Sequence, residues 1–263
     1  MKFKELFFAK DEKFNLTKSA KFVNGTIIFI ILIIFWNYAF NKLNYESQGL
    51  SIFFEYRYKF FFGFFMTIII SIFSLIGSLI IGTLLAIGRK NKFLPIHYFT
   101  KFFIEIIRGT PLIVQVYLFF YVIGTALNIN NRYIMGVLIM SIFSGSYVAE
   151  IIRGGIDSID KTQIESARAL GFSNFQKYRY IILPQVIKRV MPPLAGQFAS
   201  LIKDSSLLSI IAVNEFTKNV QEVDSITFTP IENYAVLALG YILLTYPISH
   251  LSKKLEKRFS YGD

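Results

Sequence analysis

Long uncharged apolar runs constrain this chain more than any other feature. Residues 22–40 and 60–87 contain no Asp, Glu, Lys or Arg, and 133–152 and 231–250 carry one acidic residue each. A helix needs about 20 mostly apolar residues to cross a hydrocarbon layer of ~30 Å. These four runs meet that length. By length alone the chain fits one or two soluble domains. Its 54% hydrophobic content, 29 Phe and mean hydropathy of +0.50 point to a membrane instead, because the apolar residues come as runs and not as amphipathic stripes.

In order, the chain opens with a basic leader, 1–21, carrying six lysines. The run 22–40 follows. A cleaved signal peptide is the rival reading, but the leader is long and no small-x-small cleavage site follows, so an uncleaved membrane helix is expected. A polar and aromatic connection, 41–59, leads to the span 60–87, long enough to tilt. A third span is expected at 112–127, a fourth at 133–152, a fifth at 193–213 interrupted by K-D-S-S, and a sixth at 231–250. Residues 214–230 read as a polar, acidic connection, and 252–263 as a basic tail. Ser74, Ser78 and Gly82, and likewise Ser141, Gly145 and Ala149, recur every fourth residue. Each stripe reads as an ordinary packing seam where another helix comes close.

The charge distribution orients the spans. With six crossings and the N-terminus inside, 21 Lys/Arg fall on the cytoplasmic side and 5 outside, with Arg108 and Lys203 assigned to neither. That asymmetry favours an N-in, C-in arrangement. The net charge of +11 raises nucleic acid as a partner. We exclude it, because the basic residues sit in short clusters beside the apolar runs. With no cysteine there is no disulfide, thiolate metal site or thiol nucleophile. His97 and His250 have no metal-ligand spacing. No G-x-x-x-x-G-K-[ST] stretch occurs, so if ATP drives this protein another chain binds it.

The longest polar interval is 157–193, and it is punctuated like two short helices meeting at a corner. Thr162 and Glu165 have capping-box spacing, as do Ser173 and Gln176. Gly171 sits where the first helix should stop in the left-handed region. The second should end near Pro184. By local chemistry this elbow is a connector. Its spacing is more specific. Glu165-Ser166-Ala167, then Gly171, Ile181 and Leu183-Pro184, resembles the cytoplasmic EAA loop of ABC-type import permeases, with Ser166 replacing the middle Ala. The resemblance implies a docking element that fits a groove on a separate ATPase and passes movement to the membrane helices.

Charges of both signs also fall within single helical turns at membrane depth: Glu105/Arg108, Glu150/Arg153 and Lys203/Asp204. Each is either an ion pair that fixes packing or part of a polar pathway. R-G-T-P-L-I-V-Q over 108–115 resembles the signature of permeases for polar amino acids. A-E-I-I-R-G-G over 149–155 and L-I-K-D-S-S-L over 201–207 resemble two further stretches of that family. Ser205 stands where Thr is usual, which keeps the hydroxyl. The likeness covers about 60–250. It implies an all-α membrane protein, the five-helix core of an ABC type I importer permease plus one added N-terminal membrane helix. The divisions are then 1–59, a core at 60–251 and the tail.

That resemblance implies a permease for polar amino acids working by ATP-driven alternating access, with no enzymatic chemistry and no cofactor of its own. The implied partners are two ABC ATPase subunits, a second permease (the same chain or a homologue) and an extracytoplasmic amino-acid-binding protein. The location is the inner membrane. A zwitterionic cargo needs a cation for its carboxylate and an acceptor for its ammonium. Arg153 offers the fork. Glu150 or Asp204 offers the acceptor, and Thr110, Gln115 and Ser205 offer neutral hydrogen bonds. The Gly109-Thr110-Pro111 break frees backbone groups, tolerated at membrane depth where they line a cavity. Alternatives are a same-fold permease for an opine or small peptide, an ion-coupled transporter, and a membrane scaffold without cargo.

Overall fold

A computed structural model describes residues 18–43, 49 and 51–260. Lysines 2, 4, 10 and 13 of the leader, part of the 41–59 connection and residues 261–263 lie outside that set. The described residues form helices and turns, with no strand among them. The chain divides into two compact units, 1–48 and 49–263.

In the first unit a single helix, α1, spans Lys18–Leu43. Its apolar window, Ser19–Tyr38, is almost entirely uncovered by protein. Ile31, Ile34 and Phe35 are exposed on it. A helix apolar on all sides has no polar face to give to water, so it belongs in lipid.

The second unit opens with α2 (Ser51–Glu55) and the long helix α3 (Arg57–Arg89). Next come α4 (Leu94–Gly109) and α5 (Leu112–Tyr117), the latter running on as a π-helical segment, Leu118–Gly124. Helix α6 covers Arg132–Asp157. The elbow holds α7 (Lys161–Ala169) and α8 (Asn174–Gln176). From α8 the chain stays helical through a π segment, Lys177–Ile182, into α9 (Leu183–Asp204). A 3-10 turn (Ser205–Ile211), α10 (Phe216–Thr227) and α11 (Pro230–Ser260) complete it. By length and composition α1, α3, α6 and α11 suffice to cross a membrane, and α4 with the α5 segment passes as a pair bent by 112°.

The centre of this unit is the parallel pair α3 and α6, and the two small-residue stripes are its seam. The Ser141 hydroxyl lies 3.4 Å from the Ser74 carbonyl. A Cβ on Gly82 would stand 2.5 Å from Val148 Cγ1 and 2.8 Å from the Gly145 carbonyl oxygen. Without side chains there, the backbones approach far closer than larger residues allow. Around the outer half of the seam, Ile70, Leu112, Val116, Met140, Leu201 and Leu208 form the main apolar core.

Two elements differ from expectation. The helix over the fifth expected span, 193–213, begins ten residues earlier, at Leu183, because it passes through Pro184 instead of stopping there, and it is not among the described helices that suffice by length and composition to cross a membrane. Proline removes one i→i−4 donor. The wider π turns before it absorb that loss, since their hydrogen bonds skip one more residue. The K-D-S-S interruption is a change of winding at Ser205 from α to 3-10, ended by Ala212 in the left-handed conformation at φ 56°.

The second difference is the connection 214–230, which holds a whole amphipathic helix. Phe216, Val220 and Val223 of α10 are buried at helical spacing and pack with Ile52 and Phe60. Glu215 caps it from a fully buried position. Its carboxylate accepts from the backbone N–H of Thr217 and Lys218, each at 2.8 Å, and from the Tyr241 hydroxyl at 3.1 Å. Thr67 of α3 in turn accepts from the Phe216 N–H at 3.0 Å. One buried carboxylate thus ties α10 to α11, and the neighbouring Thr67 contact ties it to α3.

Candidate functional site

At the Gly-Thr-Pro break, Pro111 cannot donate a backbone hydrogen bond, and it forces Thr110 into an extended conformation (φ −115°, ψ 146°). Helix α4 must stop, and its last carbonyls lose their donors. Gln115, buried one turn into α5, replaces them. Its Nε2 donates to the Ile107 carbonyl at 2.6 Å, the Thr110 carbonyl at 3.1 Å and the Thr110 hydroxyl at 2.8 Å. Thr110 Oγ1 donates onward to the Ile106 carbonyl at 2.9 Å. The expected pair Thr110 and Gln115 is therefore brought together, with its polar atoms engaged in holding the break.

Below the break lies a cluster of charge. Glu150 of α6 accepts from Arg153 Nη2 at 2.8 Å and Nε at 3.1 Å, one turn along the same helix. Arg108 reaches it from α4 at 3.6 Å, and Arg89 from the end of α3 at 3.9 Å. Arg153 also holds Asp157 at 2.8 Å, and Asp157 holds Lys90 at 2.8 Å. Four cations thus meet two carboxylates, which leaves the cluster electropositive. The Arg108 guanidinium lies 5.2 Å from the centre of the Tyr147 ring, a cation–π contact, and its side chain is 41% exposed. Arg153's fork already grips Glu150, so a carboxylate arriving here must displace Glu150 or use Arg108.

Asp204 and Ser205 stand elsewhere. Helices α6 and α9 run antiparallel, and Gln197 of α9 meets Ser144 of α6 at 3.4 Å. From that rung Glu150 lies toward one end and Asp204 toward the other. At 1.5 Å per residue they are about 15–20 Å apart along the helices. Asp204 is half-buried, and the buried Ser205 hydroxyl donates to the Ile202 carbonyl at 2.8 Å. The six expected cargo residues therefore form three separate pairs, Thr110 with Gln115, Glu150 with Arg153 and Asp204 with Ser205, and not one pocket.

The elbow follows its punctuation in part. Gly171 takes φ +80° with open space around it, and Ser173 with Gln176 forms a complete capping box. The cap of α7 is Asp160, not Thr162. Its carboxylate accepts from the Thr162 N–H at 2.9 Å, and that bond holds the Asp160 carboxyl below the ordinary range. A carboxylate two residues earlier outcompetes the hydroxyl because it is charged and sits at the positive end of the helix. Of the EAA-like residues, Ala167 is buried and Ile181 half-buried, while Glu165, Ser166, Leu183 and Pro184 face outward. Ile182 and Val186 anchor the elbow to Ile159 and Val190.

A model of the family described as binding-protein-dependent transport system inner membrane component matches residues 78–261. The chain belongs to that family. It is a multi-pass inner-membrane protein and a transport component. Among relatives, the probable glutamine ABC transporter permease protein GlnM of Bacillus subtilis (strain 168) is 35% identical over 216 residues, covering 81% of this chain and all of the relative. The glutamine transport system permease protein GlnP of Escherichia coli (strain K12) is 37% identical over 195 residues, covering 73% and 89%. A solved amino acid ABC transporter with histidines superposes with a TM-score of 0.75 at 32% identity, over 81% of this chain and 100% of that one. The MetNI methionine ABC transporter, at 16% identity and a TM-score of 0.60, shares the fold.

Sequence reasoning did not place Arg89 or Asp157 at the site of this family member. Arg89 reads as one more flanking charge at a span end, and only the fold turns it toward Glu150. Exposed apolar side chains on the elbow, Leu170, Phe175 and Tyr180, were also passed over. Their signal is large apolar residues on either side of the helix-stopping Gly171, in an otherwise polar stretch.

Proposed function

We propose that this chain is the permease subunit of an ABC importer for polar amino acids, glutamine foremost. The observation that carries this is the 35–37% identity, over most of the chain, to two permeases named for glutamine. The chain crosses the membrane six times with both ends inside, a reading supported by the Lys/Arg asymmetry. Two copies, or this chain and a homologue, face each other. Each elbow docks on one of two ATPase subunits through Glu165, Ser166, Ala167 and Gly171, and Ile181, Leu183 and Pro184 carry its motion into α9. The exposed Leu170 and Phe175 supply an apolar contact for that dock. An external binding protein delivers the cargo. This chain uses no cofactor, and the partner hydrolyses ATP.

Cargo meets all three polar pairs. Asp204 and Ser205 meet it at the outer end, Thr110 and Gln115 offer neutral hydrogen bonds, and the Glu150–Arg153 cluster comes last, where the surplus positive charge receives the carboxylate. In proteoliposomes holding the chain with its ATPase and binding protein, labelled glutamine should accumulate only with ATP inside. Uptake that persists without ATP and collapses with an ion gradient would show a secondary transporter instead. ATPase stimulation by an opine or small peptide, and by no amino acid, would reassign the cargo.

A further inference from the structure

At the end of α3 a groove of about 770 Å³ opens between α3, α6 and the start of α9. Its floor is apolar: Ile87, Ile156, Ile182 and Val186. It runs from Lys90 back to Thr83, about 10 Å along the helix. Its rim is different. Lys90, Asn91, Lys92 and Tyr178 surround the mouth, and no carboxylate lines the groove. Asp157 neutralises Lys90 at 2.8 Å. Lys92 is exposed and has no ion pair among the described residues. The Asn91 side-chain oxygen accepts from the Phe93 N–H at 2.8 Å, which leaves its NH2 group as a donor. The Tyr178 hydroxyl makes no hydrogen bond among the described residues and is a further donor.

We propose that this groove holds one anionic phospholipid, with its phosphate at Lys92, Asn91 and Tyr178 and an acyl chain along Ile87 and Ile156. Charge complementarity selects the occupant. A free anion has no use for an apolar trough two helical turns long, and a neutral lipid has no use for an unpaired lysine at its mouth. The volume falls within the range of ligand pockets, roughly 300–1,000 Å³. The assignment rests on the reading that the 89–101 end is cytoplasmic, the leaflet where anionic headgroups gather and attract basic residues. Because Tyr178 and Ile182 lead out of the elbow, the lipid braces the joint between elbow and membrane helices.

The test uses the purified full chain in detergent, without ATPase, so it reads neither transport nor orientation. Phosphatidylglycerol and phosphatidylcholine of identical acyl chains are offered together, and retained lipid is counted by native mass spectrometry. Phosphatidylglycerol should be preferred about five-fold. Lys92→Gln should abolish the preference, and Ile87→Trp, at an exposed position, should reduce retention of both lipids by filling the trough. Equal retention of the two lipids by the unaltered chain overturns the proposal, as does indifference to both substitutions. Displacement of the lipid by inorganic phosphate alone also overturns it, since the site would then be one for a free anion.

Discussion

Gln115 Nε2 lies 2.6 Å from the Ile107 carbonyl oxygen, eight residues away across a break that no backbone donor can close. Pro111 takes away the N–H that would have continued the helix, and a side-chain amide from the next turn replaces it. The Gly-Thr-Pro sequence and the glutamine four residues beyond it therefore form one physical unit. The proline makes the bend, and the amide makes the bend affordable in a medium without water.

Gln115→Leu should keep the volume and lose the donors. The Ile107 and Thr110 carbonyls would then be left without side-chain partners, at about 1–3 kcal/mol. The thermal midpoint in detergent should fall accordingly. An unchanged midpoint would mean that water already satisfies the break.

Gly171→Ala should cost about 1–2 kcal/mol from backbone conformation alone, because φ is +80° and a Cβ there meets nothing. Gly171→Asn should be milder and Gly171→Val worse. Co-purification with the ATPase should fall in that order while membrane insertion holds. Equal ATPase capture by all three variants would refute a dependence of docking on this turn.

Gly82→Ala should destabilise by about 1–3 kcal/mol, since its Cβ would meet Val148 and the Gly145 backbone carbonyl at 2.5 and 2.8 Å. Gly154→Ala, where nothing lies within 4 Å, is the matched control on the same helix pair. Similar thermal midpoints for the two would show that the seam is looser than these distances.

Glu150→Gln should leave three guanidiniums around a neutral amide, lowering both stability and uptake. Adding Arg153→Gln removes one of the stranded charges. The double variant should regain stability and stay inactive in glutamine uptake. Recovery of uptake with stability would make the pair a structural bridge only.

Several elements could be read from residue order alone because their causes are local. The uncharged length of 60–87 demands a spanning helix whatever surrounds it. Gly171 stops α7, and Ser173 with Gln176 restarts the chain, through atoms within three residues of each other. Pro184 was misread for a nonlocal reason. Whether a proline ends a helix or is absorbed depends on what the flanking turns pack against, and here Ile182 and Val186 are buried against α6. Helix α10 was missed because its apolar stripe is only three residues deep, and its cap, Glu215, is buried by Thr67 and Tyr241 from distant parts of the chain.

The order of residues by itself determined that this protein lives in a membrane, which side its elbow faces in the proposed orientation, and where its polar residues interrupt the apolar runs. Those follow from transfer free energies, which act residue by residue. Only the tertiary structure decided that Arg89 and Arg108 converge on Glu150, that Asp204 stands about 15–20 Å from that cluster along the helices, and that Gln115 is committed to a broken turn. Such relations depend on where helices cross, and crossing is set by side chains far apart in the chain that meet only once the small-residue seam of α3 and α6 has closed.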